Sequence, residues 1–125
     1  MAIQFNGNNL HANFTVNTPA RTLNTNFTPD TGRPVFCIYS VEINSGDSED
    51  GLVELRSDTA ATPTTVRSSG RNQFNVTGIL GVGGNSITTA QLSYLVPPGH
   101  NVRLVTTNTT GTPTFTLKDQ TEITL

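Results

Sequence analysis

The sequence predicts an all-β protein, an antiparallel β-sandwich or jelly roll of about seven or eight short strands with an extended N-terminal arm. Three observations carry that reading. After Arg33, apolar side chains recur at every second position in short runs; Pro, Gly, Asn and Asp separate the runs; and no stretch sustains the 3.6-residue period of an amphipathic helix. Abundant Thr, Val and Ile suit a pleated backbone.

With 125 residues the chain is sized for one domain and one modest core. Its hydrophobic fraction of 34% is low, but a net charge of −2 is not the high charge that accompanies disorder, so a folded body is expected.

Residues 1–34 read as an extended arm. They are rich in Asn and Thr, show neither strand nor helix period, and carry isolated aromatics at Phe5, Phe14 and Phe27 with cations at Arg21 and Arg33. Such a segment must satisfy its backbone groups and bury its Phe side chains somewhere, on a neighbouring subunit or on its own. These five residues are therefore the candidate partner-binding positions.

Residues 35–125 read as the sandwich domain. Residues 35–43 form the strongest strand, with Val35, Cys37, Tyr39, Val41 and Ile43 on one face; both faces are apolar at its start, which predicts a central strand covered on two sides. A loop at 44–51 and a return over 52–56 predict a hairpin with a long acidic tip. A weak strand near 65–67, another at 74–80, a Gly-rich corner at 81–85 and a strand at 87–96 follow. The last third, 92–125, reads as a meander. Pro97-Pro98-Gly99 makes a corner, Val102, Leu104 and Thr106 share one strand face, a second corner falls at 108–111, and Phe115, Leu117, Ile123 and Leu125 again recur at every second position.

Few chemistries find support. Seven Lys and Arg scattered along the chain form no basic stripe, which argues against nucleic acid. No apolar run is long enough to span a bilayer, and the first ten residues lack the basic and apolar regions of a signal peptide, so synthesis in a cytoplasm with no membrane partner is expected. Cys37, inside VFCIY, reads as a buried thiol. Asp47, Glu49 and Asp50 are the ligands that a calcium ion would use, although their spacing is not that of an EF-hand and a solvated turn explains them more simply. His11 and His100 have no ligand-type neighbours, and residues 81–84 lack the Lys of a phosphate loop. No catalytic residue, metal or cofactor is expected, and Tyr94 is the one candidate platform for a sugar ring.

The runs PVFCIYSVEI, DGLVELRSD and LSYLVPPGHNVRLVTTNTTGTPTFTL carry a resemblance. Residues 33–125 resemble a group of small β-sandwich virion or virion-associated proteins of tailed phages, including capsid decoration (cement) proteins and the YomS and XepA C-terminal type of prophage protein. The resemblance implies a non-enzymatic structural protein of the virion, assembled in the host cytoplasm. On the leading reading it decorates the head shell, as a trimer or ring, through symmetric contacts with the major capsid protein or another virion protein. Phe5, Phe14 and Phe27 would anchor it, with Arg21 and Arg33 as charge partners. Two alternatives stay open: a tail- or fibre-associated module engaging a host glycan or a neighbouring tail protein, the glycan through Tyr94 and the loops at 44–51 and 81–85, and an accessory factor in host lysis.

Overall fold

The alternation of apolar and polar residues resolves into two sheets packed face to face. In the computed structural model, which describes residues 14–75 and 84–125, the strands are β1 (Thr15–Asn17), β2 (Val35–Gly46), β3 (Glu49–Asp58), β4 (Val66–Phe74), β5 (Asn85–Val96), β6 (Asn101–Thr110) and β7 (Thr114–Thr124). A four-stranded sheet has the order β1-β7-β2-β5 and a three-stranded sheet the order β4-β3-β6, with every pairing antiparallel. No helix occurs among the described residues. The core lies between the sheets, with Val35, Cys37, Tyr39, Val41 and Ile43 of β2 and Leu92 and Val96 of β5 facing Val53 and Leu55 of β3 and Val102 and Leu104 of β6.

The connections correct two expectations. Residues 44–51 are not the long tip of a hairpin: β2 runs to Gly46, β3 starts at Glu49, and the chain turns through Asp47 and Ser48 from one sheet into the other. Ser48 takes a φ of 62° to make that turn. The last third is not a meander either, because β5 and β7 belong to the four-stranded sheet and β6 to the three-stranded one. A hairpin and an arch between sheets place the same alternating residues on the same core, so period alone does not separate them. The corner at Pro97-Pro98-Gly99 is present, with Gly99 at a φ of 76° donating its N–H to Asp30 O at 2.9 Å. The later corner lies at Gly111, with a φ of 71°, because β6 extends to Thr110.

β4 runs unbroken from the weak strand expected near 65–67 to the first residue of the strand expected at 74–80, and residues 76–80 lie outside the described part. Its inward positions are small or polar because the sheets approach closely there. A Cβ on Gly70 would run into the Cβ of Ala90 on β5. Asn72 is buried and ties three strands together: its Nδ2 donates to Ile43 O at 2.9 Å and Ser86 O at 2.8 Å, while Ser45 Oγ donates to Asn72 O at 2.9 Å.

β7 holds the one irregularity that organises the outer surface. Val41 pairs with Leu117 but Ser40 pairs with Asp119, so Lys118 is an extra residue, a β-bulge. Phe115 and Leu117 pack on the core, and one residue of slip exchanges the faces beyond that point. Glu122 turns inward, 3% exposed, while Ile123 and Leu125 turn outward. The runs through Phe115 and Leu117 and through Ile123 and Leu125 thereby belong to one strand but to opposite faces.

Candidate functional site

Two arrangements concentrate chemistry. The first is built by the segment expected to be an extended arm, packed on a neighbouring subunit or on its own, of which residues 14–34 are described. This part packs on its own chain. β1 pairs with β7, and Phe27 bridges to Val102, its N–H donating to Val102 O at 3.0 Å while Val102 N–H donates to Phe27 O at 2.7 Å. Asn24 adds an N–H to Leu104 O at 2.7 Å, so the segment covers the free edge of β6.

Arg21 and Phe27 are drawn into this internal contact. The Arg21 guanidinium sits 4.2 Å from the Phe27 ring centroid and donates to both oxygens of Glu122, Nε to Oε2 and Nη2 to Oε1, each at 2.7 Å. Glu122 Oε2 also accepts the Tyr39 hydroxyl at 2.8 Å, and the Tyr39 ring meets Phe27 edge to face at 6.1 Å between centroids. Burial pushes the Tyr39 phenol far above its ordinary pKa, so it stays protonated and donates. The hydrogen bond from Arg21 to Glu122 raises the Arg21 pKa and keeps the guanidinium charged. This cluster closes the core beneath the segment.

The second arrangement is on the outside of the four-stranded sheet. Val16 pairs with Ile123, Ile123 with Phe36, and Phe36 with Leu95, so four apolar side chains stand in one row across β1, β7, β2 and β5, on the face turned away from the core. Phe14 and Leu125 complete a shallow depression of about 530 Å³ lined, among the described residues, by these six. Of the six exposed large apolar side chains among the described residues, four converge here: Phe14 (51% exposed), Val16 (64%), Leu95 (47%) and Leu125 (37%). β2 was expected to be covered on both faces, but beyond Phe36 no second layer of the described chain lies over it. The apolar Phe36 among the residues starting β2 was the one sequence signal for this face. Val16, Leu95, Ile123 and Leu125 gave none, because their outward direction depends on strand pairing.

The other sequence candidates are dispersed. Phe5 lies outside the described residues, as do His11 and residues 81–83. Phe14 lines the depression, and Arg33 Nε donates to Leu125 O at 2.6 Å, which ties the chain end at its rim. The acidic residues do not converge on a cation. Glu49 accepts the N–H groups of Gly46 at 2.6 Å and Thr112 at 3.1 Å, Asp50 accepts Arg71 Nε at 2.8 Å, and no group of three metal-ligating side chains occurs among the described residues. The Tyr94 ring faces the Arg67 guanidinium at 5.0 Å. Tyr94 pairs with Cys37, and Gly46 at the acidic turn lies nine residues further along β2, about 30 Å away at 3.3 Å per residue.

Comparison of the chain with protein-family models, with curated proteins and with solved structures returns no match.

Proposed function

We propose that this chain is a non-enzymatic structural protein of a tailed-phage virion, a capsid decoration (cement) protein that acts by symmetric protein–protein contact. The observation that carries the reading is the row Val16–Ile123–Phe36–Leu95, a contiguous apolar strip facing outward from a sandwich whose own core is filled elsewhere. Patches of this kind mark protein–protein contact. The titratable side chains offer support of another sort, since Arg21, Glu122, Glu49, Asp50 and Asp58 hold loops and strands together. The resemblance of residues 33–125 supplies the virion, and repetition by symmetry makes a modest contact per copy sufficient.

The anchoring residues differ from those the arm suggested. Arg21 and Phe27 serve the body, so the contact surface is Phe14 with the outer row, and Arg33 stands at its edge. The test is co-sedimentation of the purified chain with purified tailed-phage heads that lack decoration, comparing wild type with Leu95→Asp. Losing a buried Leu costs about 1.5–3 kcal/mol, roughly a 10- to 100-fold weakening per site. Absence of binding by the wild type, or equal binding by Leu95→Asp, would defeat the reading.

A further inference from the structure

We infer that the outer edge of β5 pairs antiparallel with the same edge of a second copy of this chain, about a two-fold axis at Gln91, joining two four-stranded sheets into one. This goes beyond the assembly reading and does not depend on it, since it concerns the chain alone.

The edges of the two sheets are not alike. β1 is three residues long, and the edge of β6 is taken by the backbone of Asn24 and Phe27. β4 carries Arg67 and Arg71, and Arg67 is an extra residue, because Leu55 pairs with Ser68 but Arg56 with Val66. Short length, cover, charge and a bulge are the devices that stop a sheet from growing. β5 has none of them. It runs for 12 residues, NSITTAQLSYLV, without Pro, Asp, Glu, Lys or Arg and in unbroken register with β2, and among the described residues no strand pairs with its other edge.

The strand itself names a second copy as the occupant. Ile87 and Leu95, 60% and 47% exposed, lie on the same outward face with Gln91 midway between them. Antiparallel pairing centred on Gln91 sets Ile87 of each copy opposite Leu95 of the other, and Thr89 opposite Ser93. A register moved by two residues sets Leu95 against Asn85 or Thr89 instead, so the apolar positions select one register. The edge is complementary to itself in charge as well, because it brings none to the axis. The outer row is also continued: Val16, Ile123, Phe36 and Leu95 gain Ile87 of the second copy as a fifth apolar member.

Size sets the strength. In this register residues 86–96 all find partners, an edge about 37 Å long and about 10 Å deep, or roughly 370 Å² of footprint per copy against the ~800 Å² of a standard interface. About ten main-chain hydrogen bonds, two at every second pair, equal the number a standard interface carries. Strand addition of this kind draws its affinity from those bonds. The expected product is a reversible dimer with a Kd on the order of 10–100 µM.

Sedimentation velocity of the full chain from 5 µM to 1 mM tests this, with far-UV circular dichroism on each variant to verify the fold. The wild type is expected to pass from monomer to dimer. Gln91→Lys sets two ammonium groups opposite each other at the axis and should weaken the dimer at least tenfold, Ile87→Ser should weaken it several-fold, and Val16→Ser, on the far strand of the sheet, should leave it unchanged. Under mild oxidation Gln91→Cys should give a disulfide-linked dimer, because directly paired Cα atoms lie about 4.5–5.5 Å apart. Thr89→Cys should not, since its two copies stand about 14 Å apart in this register, and the native Cys37 is buried. A chain that stays monomeric at 1 mM, a dimer indifferent to Gln91→Lys, or equal cross-linking of the two cysteine variants would overturn the inference. A dimer weakened by Val16→Ser and not by Gln91→Lys would also overturn it, because the copies would then stack through the outer row. Binding to phage heads is read in a separate experiment, so either reading can fail without the other.

Discussion

Tyr39 and Glu122 form a diagonal pair between β2 and β7, with the phenol donating to Glu122 Oε2 at 2.8 Å on the core side of the sheet. The contact exists because the bulge at Lys118 turns Glu122 inward, and Arg21 neutralises the carboxylate from above. A charge placed this deep is tolerated only when it is paired and hydrogen-bonded.

Removing members of this cluster should have graded effects. Tyr39→Phe leaves Glu122 with Arg21 and is expected to cost about 1–2 kcal/mol. Arg21→Ala strands a carboxylate that is nearly fully buried and should cost about 3 kcal/mol or more. Urea denaturation monitored by circular dichroism checks both, and an Arg21→Ala variant as stable as wild type would show that the cluster adds nothing.

Lys118 matters as a residue and not as a side chain. Its ammonium reaches Glu42 only at 3.9 Å and is half exposed, so Lys118→Ala should change stability by no more than about 0.5 kcal/mol. Deleting Lys118 removes the bulge and forces Glu122 outward and Ile123 inward. The deletion variant is expected to lose cooperative unfolding in a thermal scan while Lys118→Ala keeps it; equal behaviour of the two would refute the role given to the bulge.

The acid limb of stability should depend on Asp58. Its carboxylate accepts the N–H groups of Thr64, Thr65 and Ala60, each at 2.9 Å, and these bonds, Thr64 first, hold its pKa well below the usual carboxylate range. The unfolded chain then binds the proton more readily than the folded one. The contribution is full above the ordinary value of about 3.9 and is lost as the pH falls below it toward the folded value. Asp30, held down by the N–H groups of Gly32 and Arg33, and Glu49, held down by those of Gly46 and Thr112, share the sign. Asp58→Asn should therefore lower Tm at pH 7 and flatten, without abolishing, the decline between pH 5 and 2.5. An unchanged Tm profile would contradict this account.

Cys37 should be silent in the folded protein. It is fully buried, and desolvation pushes its thiol up to about 12, so almost no thiolate exists at neutral pH. Titration with a chromogenic disulfide reagent at pH 8 is expected to find no rapidly reacting thiol in the native chain and one after unfolding in guanidinium chloride. Rapid native reaction would show that the first strand is not shielded as described.

The inward residues of β2, the faces of Val102 and Leu104, the turn at Gly99 and the buried thiol were legible in the sequence, since each is set within a few residues by the pleat, by proline or by glycine. β4 was not, because its inward residues Ser68, Gly70 and Asn72 carry no apolar signal: Gly70 leaves room for Ala90, and Asn72 is held by hydrogen bonds to Ile43 and Ser86. Arg21 and Phe27 were recognisable as residues in need of partners, but the partner of Arg21 proved to be Glu122, about a hundred residues away, and Phe27 packs against Arg21 and Tyr39.

On its own, the sequence determined the all-β fold class and the local direction of most strands, because alternation is a property of a single extended chain. Only the tertiary structure decided which sheet each strand joins, that residues 14–34 close the core, and that Val16, Ile123, Phe36 and Leu95 line up on the outside. The physical reason is pairing. Side chains from four strands become one surface through register, and a single extra residue at Lys118 sets which of them face out.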